Sequence, residues 1–461
     1  MFVCACATHT SKTQKLRADW NAGNVGQSVK IATKEVLESS TTDKLIWLLE
    51  DGAVSRANAD FNRSITSFEK AYAQIQQYES QPATKLTEQT KALLTNQSYI
   101  PYKGYNYDKI MLCIYQALNY IELGDFERAS VELKRMANFQ DNAKVENLKR
   151  IQAQEKALQE ANKNSSTANY DVSKVLANGK VSANLNSIYG DSYKNSARVQ
   201  ASAVYVNPFG YWLGGLFFAN AYEDNADKEM SASMFRLCAE SLGGKSLRAN
   251  DDALRAERLA QGQTNAFGNS TYIIFETGSA PIRKQIRIDL PLFLIGNHVP
   301  HVAVNFPYLS KQGSFRASVD VLADSQKVKF DTIADMDSII QEEFNIHLPY
   351  VITKTILSSA GKATGQYFAS KAAGDMGILV DLTMGVYQSI MNDADLRTWV
   401  TLPKQIKVAR VDTPKNGKIT IAGKTIDVDC NGVNVIFVKS MSATSNIFVR
   451  KLEFNKKLKR K

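Results

Sequence analysis

Three charged side chains near the end of the chain form its densest polar cluster. Asp393, Asp395 and Arg397 alternate with other residues, and Trp399 continues the same spacing. Convergent polar side chains of this kind can bind a ligand or a partner, and in a cleft they are what a hydrolase needs. The same residues can also form a buried Arg–carboxylate pair that fixes the turn before a strand. The sequence leaves both interpretations of this candidate polar site open.

Other signals of catalysis are weak. The chain has four histidines, so a Ser-His-Asp triad has few candidates for its general base. Its sequence contains no phosphate-binding loop, no dinucleotide fingerprint and no paired cysteine or histidine motif for zinc. We therefore predict a protein that is not an enzyme and that has no cofactor and no metal ion.

The first residues resemble the end of a bacterial lipoprotein signal, in which an apolar residue and two small residues precede a lipid-bearing cysteine. Val3, Cys4, Ala5 and Cys6 follow that order. A working signal also needs a basic region and about 7–15 apolar residues before the cleavage site. We therefore expect the true signal to lie upstream of Met1 and the lipid to be attached to Cys6. A chance Cys-Ala-Cys at a ragged N-terminus is the alternative.

Composition narrows the class of protein. The chain has 461 residues, 44% of them hydrophobic and 22% charged, which excludes a disordered chain, a collagen and a small disulfide scaffold. At about 100–200 residues per domain it forms two to four domains. The net charge of +10 is spread along the chain, so no nucleic-acid partner is expected. No segment approaches the ~20 uncharged apolar residues of a membrane span.

Two helix–turn–helix segments match the spacing of a tetratricopeptide repeat, in which small and aromatic residues recur where paired helices touch. The signature residues are Gly52, Ser64, Phe68 and Ala71 in the first copy, and Ala117, Tyr120, Gly124 and Ala129 in the second. A weaker third copy uses Ala219, Ser231 and Phe235. Irregular distances between copies indicate stacked helix pairs broken by insertions, and a non-repeating helical bundle is the alternative. Stacked pairs offer a concave groove, for which helix periodicity suggests Tyr115, Asn119, Glu122 and Arg128.

The pattern changes to β structure after residue 270. The run 272–275, a turn and the alternating run 282–288 predict a hairpin, and a helix is predicted over 331–344. The predicted fold class is α+β, with an N-terminal α-solenoid or TPR-like helical repeat domain followed by a mixed α/β C-terminal domain with an antiparallel sheet. The predicted boundaries are a lipobox-like start and tether (1–27), the helical domain with insertions (28–245), a linker (246–268), the mixed domain (269–450) and a basic tail (451–461).

The order of these features resembles a family of bacterial lipoproteins with a tetratricopeptide-like helical half and a mixed α/β C-terminal half. The resemblance covers roughly residues 40–440, and its landmarks are 117–126, 207–209, 215–218, 276–281 and 394–403. It implies a location in the cell envelope. It implies no reaction, so no catalytic residue is carried over from the family.

These observations predict a non-catalytic scaffold that binds other envelope proteins through its helical groove. Lipid on Cys6 would hold it at the membrane, with the periplasmic face of the outer membrane as the expected location, and its role would be envelope or surface assembly. An envelope hydrolase with a site in the C-terminal domain is the alternative from another class. A structural subunit of an envelope complex is a third.

Overall fold

The computed structural model describes residues 9–80, 101–164, 172–190, 206–290, 302–324, 326–373 and 394–454. The helices in these ranges are α1 (His9–Ala22), α2 (Val25–Glu38), α3 (Lys44–Ala57), α4 (Phe61–Glu79), α5 (Asn106–Glu122), α6 (Phe126–Asn164), α7 (Val172–Ala177), α8 (Gly179–Tyr189), α9 (Pro208–Asn220), α10 (Asn225–Ser241), α11 (Leu247–Ala260) and α12 (Met336–Ala373).

The strands in the same ranges are β1 (Ser270–Thr277), β2 (Ile282–Leu290), β3 (Val302–Ser310), β4 (Val321–Ala323), β5 (Gln326–Lys327), β6 (Asp331–Asp335), β7 (Gln405–Asp412), β8 (Lys418–Ile421), β9 (Lys424–Asp427), β10 (Val433–Ser440) and β11 (Phe448–Leu452).

The helices α1 to α6 form a layer in which each helix packs on the next, and α9, α10 and α11 continue it beyond α6. Local signals begin and end these helices. Asp60 caps α4 by accepting a hydrogen bond from the Arg63 amide at 3.1 Å. Gly124 has a φ of 68°, a left-handed conformation that lets the chain turn sharply between α5 and α6.

The largest sheet has five strands in the order β11-β10-β1-β7-β6. Strand β1 lies at its centre, parallel to β10 and antiparallel to β7. A second sheet has the order β5-β4-β8-β9, and β2 pairs with β3 as a separate two-stranded sheet. The predicted hairpin of 272–275 with 282–288 is therefore wrong, because these two strands have different partners.

The five-stranded sheet lies between the helices and the smaller sheet. Side chains alternate between the two faces of β1. Tyr272 and Ile274 face the core that contains the helices, whereas Ile273 and Phe275 face a core shared with β4 and β8. The helical core is continuous from Leu16 in α1 to Phe454 after β11, so helices and sheet bury a common apolar interior.

A third core joins elements that flank the main body. Strands β2 and β3 pack with α7, α8 and the first part of α12 around a separate set of buried apolar residues, which includes Val181, Leu185, Ile288, Val304, Phe344 and Ile352. Among the helices in the described ranges, none is long and apolar enough to cross a membrane.

The molecule mixes helices with mainly antiparallel sheets, which confirms the α+β fold class. The structure corrects three of the local predictions. The segment expected to be a tether contains α1, whose Leu16 and Trp20 are buried. The segment expected to be a linker contains α11. The helix predicted over 331–344 begins only at Met336, because 331–335 extend the sheet as β6.

Candidate functional site

The predicted polar cluster forms a buried ion pair. Arg397 donates two parallel hydrogen bonds to Asp395, from Nε to Oδ1 and from Nη2 to Oδ2, each 2.8 Å long. Its Nη1 donates to the Thr42 carbonyl at 3.1 Å and to Asp43 Oδ1 at 3.2 Å. Burial raises the pKa of Asp395, but Arg397 more than compensates and holds it below its usual value. Asp393 lies outside the described residues.

A second buried carboxylate fixes the residues that follow. Glu50 in α3 accepts a hydrogen bond from the Val400 amide at 2.6 Å and one from the Thr401 hydroxyl at 2.6 Å. Burial raises the pKa of Glu50 to about 8, although both hydrogen bonds oppose this shift. The segment 395–401 is therefore pinned to the start of the helical layer, and the polar atoms of Asp395 and Arg397 are used in that contact.

The first predicted repeat shows close helix contact at its small residue. The Ser64 hydroxyl of α4 donates to the Gly52 carbonyl of α3 at 2.7 Å. A Cβ atom at Gly52 would lie 2.5 Å from the Phe68 ring, closer than packed carbon atoms approach. Gly52 therefore allows α3 and α4 to touch, and Ala71 is buried one turn further along α4.

The same contact recurs between α9 and α10, with a different small residue from the predicted one. Ser231 donates to the Gly215 carbonyl at 2.8 Å, and a Cβ atom at Gly215 would lie 2.6 Å from Phe235. Gly215, and not Ala219, is thus the counterpart of Gly52. Both glycines stand five residues before the end of their helices, as Ala117 does in α5.

The second predicted repeat is the helix pair α5–α6, and its signature residues are also buried. Ala117 of α5 and Ala129 of α6 are fully buried, and these two helices pack on each other. Tyr120 donates to Glu69 Oε1 of α4 at 3.1 Å, which joins this hairpin to the preceding one. Ala117, Tyr120 and Ala129 are thus buried, and Gly124 forms the turn between α5 and α6.

The residues predicted to line a groove lie elsewhere. Tyr115 and Asn119 are buried, and Glu122 is largely covered. Asn119 accepts from Arg56 Nη1 at 3.0 Å and donates to the Ser64 hydroxyl at 2.8 Å, so it holds α3, α4 and α5 together. Arg128 is exposed and pairs with Asp125 at 2.6 Å. The first three residues therefore do not line an open groove.

The five-stranded sheet covers this face of the helices. The Tyr115 hydroxyl donates to Glu276 Oε2 of β1 at 3.4 Å. Arg450 of β11 donates to the carbonyl oxygens of Arg56 and Ala57 at 3.1 and 2.7 Å, at the end of α3. The chain's own C-terminal half thus occupies the surface on which sequence analysis placed a partner.

An open groove lies at the far end of the helical layer, between α10 and α11, with a volume of about 520 Å³. Ala239, Ala253 and Leu254 are among its lining residues, and Leu254 is 53% exposed. Arg236, Glu240 and Glu257 also border the groove. Sequence analysis missed it because 246–268 was interpreted as a linker. The apolar Leu247 and Leu254, seven residues apart on the helix, were the available signal.

Metal ligands do not gather in the structure: the described ranges hold no group of three or more His, Cys, Asp or Glu side chains suited to an ion. Cys6 lies outside the described residues. Of the free cysteines within them, Cys113 and Cys238 are buried and Cys430 is exposed.

Comparisons with family models, with curated proteins and with solved structures found no match to this chain.

Proposed function

We propose that the protein is a non-catalytic scaffold that binds other proteins at the bacterial cell envelope. The observation that carries this proposal is the open groove between α10 and α11, which is lined by an exposed leucine and small apolar residues. A groove of this shape accepts the apolar side of a helix. Exposed apolar surface beside polar residues is typical of a protein contact.

The helical layer supports a tetratricopeptide-like architecture. The α3–α4 and α9–α10 pairs share a glycine, a serine bonded to its carbonyl and an aromatic ring against it. The α5–α6 pair has alanine at the glycine position. Repeated pairs of this kind stack into extended binding surfaces. In this chain the sheet covers the side of α3 and α5 where the groove was expected, so we place the partner at the outer end of the stack.

The residues of the groove define the partner's chemistry. Leu254, Ala239 and Ala253 favour an apolar side chain. The carboxylates of Glu240 and Glu257 outnumber the one cation, Arg236, and therefore favour a basic residue beside it. We propose that the partner presents an amphipathic helix with one apolar side flanked by lysine or arginine.

The proposed membrane anchor is lipid on Cys6. Only Ala7 and Thr8 separate Cys6 from His9, the first residue of α1. Helix α1 is itself fixed to the body, because Ser279 and Ser442 donate to Asn21 at 2.9 and 2.7 Å. A lipid at Cys6 would thus hold the helical layer close to the membrane, and we propose the periplasmic face of the outer membrane. Labelling cells with a radioactive fatty acid tests this: Cys6→Ser should lose the label, and retained label refutes the assignment.

The hydrolase alternative lacks a supporting observation of this kind, because Asp395 and Arg397 bond to each other and to the loop before α3. The third alternative is that the protein is a structural subunit of an envelope complex. Light scattering after size-exclusion chromatography measures the molar mass and so distinguishes an assembled subunit from a monomeric scaffold.

Site-specific photo-cross-linking tests the scaffold directly. A photoreactive residue replaces Leu254 in one variant and Leu37 of α2 in a matched control, where the exposed fraction is 78%. We expect position 254 to cross-link one envelope protein reproducibly and position 37 to cross-link none preferentially. Equal yields at both positions would contradict the proposal, and so would a cross-linked protein that fails to bind once purified.

A further inference from the structure

A small cavity lies where the helical layer meets the five-stranded sheet, between α3, α5, β10 and β11. Its volume is about 20 Å³. That volume holds a single water-sized atom, since one probe sphere occupies roughly 10–15 Å³. The side chains that matter for its chemistry are Arg56, Tyr115, Phe437, Lys439, Phe448 and Arg450.

All charged residues that line this cavity are cationic. Arg56 and Lys439 are 4% and 8% exposed, and Arg450 lies beside them. The nearby carboxylates are Glu276, which accepts from Lys439 at 2.6 Å, and Glu122, which is 4.0 Å from Arg450. Among the described residues, three cations thus meet two carboxylates around this cavity, an excess of one positive charge, although the Arg450 side chain is 22% exposed.

Arg56 carries the strongest sign of that surplus. Its Nη1 donates to Asn119, whereas its Nη2 has no hydrogen-bond partner within the described part of the chain. The Arg56 guanidinium lies 5.1 Å from the ring centre of Phe437 and 5.9 Å from that of Tyr115. These cation–π contacts offset part of the cost of burying its charge, but they leave the Nη2 donor without an acceptor. Burial lowers the pKa of Arg56, of Lys439 and of Arg450, and the surrounding carboxylates offset this only in part.

We propose that this cavity binds a small monovalent anion, of which chloride is the physiological representative. One negative charge neutralises the cluster, and a monatomic ion is the smallest anion that can occupy so small a cavity. The anion receives hydrogen bonds from Arg56 of α3 and from cations of β10 and β11. It therefore links the helical layer to the sheet, and chloride stabilises the contact between the two halves of the chain.

Thermal unfolding at constant ionic strength tests this linkage, with sodium chloride exchanged stepwise for sodium gluconate. A ligand that binds only the folded state raises the melting temperature with the logarithm of its concentration. We expect this rise in the wild type and its loss in Arg56→Gln. Arg128→Gln is the control, because it removes a cation of the helical layer that does not line the cavity and should keep the chloride response.

A direct measurement covers the case in which Arg56→Gln does not fold. Wild-type crystals soaked in bromide should show one anomalous-scattering peak in the cavity, within hydrogen-bonding distance of the Arg56 guanidinium. A bromide-free cavity that contains only water overturns the proposal. A chloride response that survives in a folded Arg56→Gln variant overturns it as well.

Discussion

The carboxyl group of Glu50 accepts a hydrogen bond from the hydroxyl of Thr401 at 2.6 Å, although the two residues are 351 positions apart in the chain. Glu50 is fully buried in α3, and Thr401 precedes β7. The bond joins the start of the helical layer to the segment that enters the large sheet. Since the same two regions also share one apolar core, we expect them to unfold together.

The buried carboxyl of Glu50 predicts a pH-dependent stability. Burial raises its pKa from 4.5 to about 8, so the folded state binds a proton more tightly than the unfolded state. Its stabilising contribution is complete below about pH 4.5 and is lost as the pH rises through about 8. One such proton gives a slope of at most about 1.4 kcal/mol per pH unit. Urea unfolding between pH 5 and 8 measures this slope.

Two variants test whether Glu50 causes this change of the free energy of unfolding with pH. Burial also raises the pKa of Asp108, to about 7, so this carboxyl contributes with the same sign at lower pH. Glu50→Gln should flatten the profile between about pH 7 and 8, whereas Glu38→Gln, on the exposed side of α2, should keep it. A Glu50→Gln profile as steep as that of the wild type would falsify the assignment.

Because α3 and α4 touch at Gly52, we expect that adding a single methyl group at this position destabilises the protein. Gly52→Ala places a Cβ atom 2.5 Å from Phe68, and overpacking of this kind costs about 1–3 kcal/mol. Gly26→Ala is the control, because no atom lies within 4 Å of its new Cβ and alanine favours a helix. Thermal unfolding should show a lower melting temperature for Gly52→Ala only. Equal melting temperatures would mean that α3 and α4 are not in contact there.

Because Ala117 lies in the core shared by helices and sheet, we expect a substitution there to lower the melting temperature of both. Ala117→Leu adds three heavy atoms to a packed contact, at a cost of about 1–3 kcal/mol. If the C-terminal half were a separate domain, it would melt at an unchanged temperature in this variant. The shared core instead predicts that far-ultraviolet circular dichroism and tryptophan fluorescence report one transition, shifted to lower temperature. A second transition at an unchanged temperature would contradict the shared core.

The Arg397 ion pair predicts a large loss of stability on truncation. Arg397→Gln leaves Asp395 without its main partner, and breaking a buried pair costs about 3–5 kcal/mol. Arg128→Gln removes an exposed pair with Asp125, which contributes about 0–1 kcal/mol. Free energies of unfolding from urea titrations measure both. Similar losses in the two variants would argue against a structural role for the 395–401 segment.

Contacts between neighbouring helices were accessible from the sequence because they depend on local spacing. Gly52, Ser64 and Phe68 lie within one hairpin, so the pattern of small and aromatic residues indicates where α3 and α4 touch. The burial of Tyr115 could not be predicted from local spacing. Periodicity identifies an apolar or polar face of α5, but it does not reveal that β1 and β10, far along the chain, cover that face.

Helix α11 was missed for a different reason. Its buried side consists mainly of small residues, Ala249, Ala253 and Ala256, while arginine and acidic residues make up much of the remaining composition. Such a segment has low hydrophobicity and resembles an exposed linker. The open groove depends on how this helix is placed against α10, which follows from tertiary packing and not from local sequence.

Binding of the purified partner tests the central claim most directly. After cross-linking identifies that protein, isothermal titration should compare wild type, Leu254→Asp and Leu37→Asp. The account predicts at least a tenfold loss of affinity for Leu254→Asp, equivalent to about 1.4 kcal/mol, with affinity unchanged for Leu37→Asp. Unchanged affinity in a folded Leu254→Asp variant would contradict the assignment of the groove between α10 and α11 as the partner site.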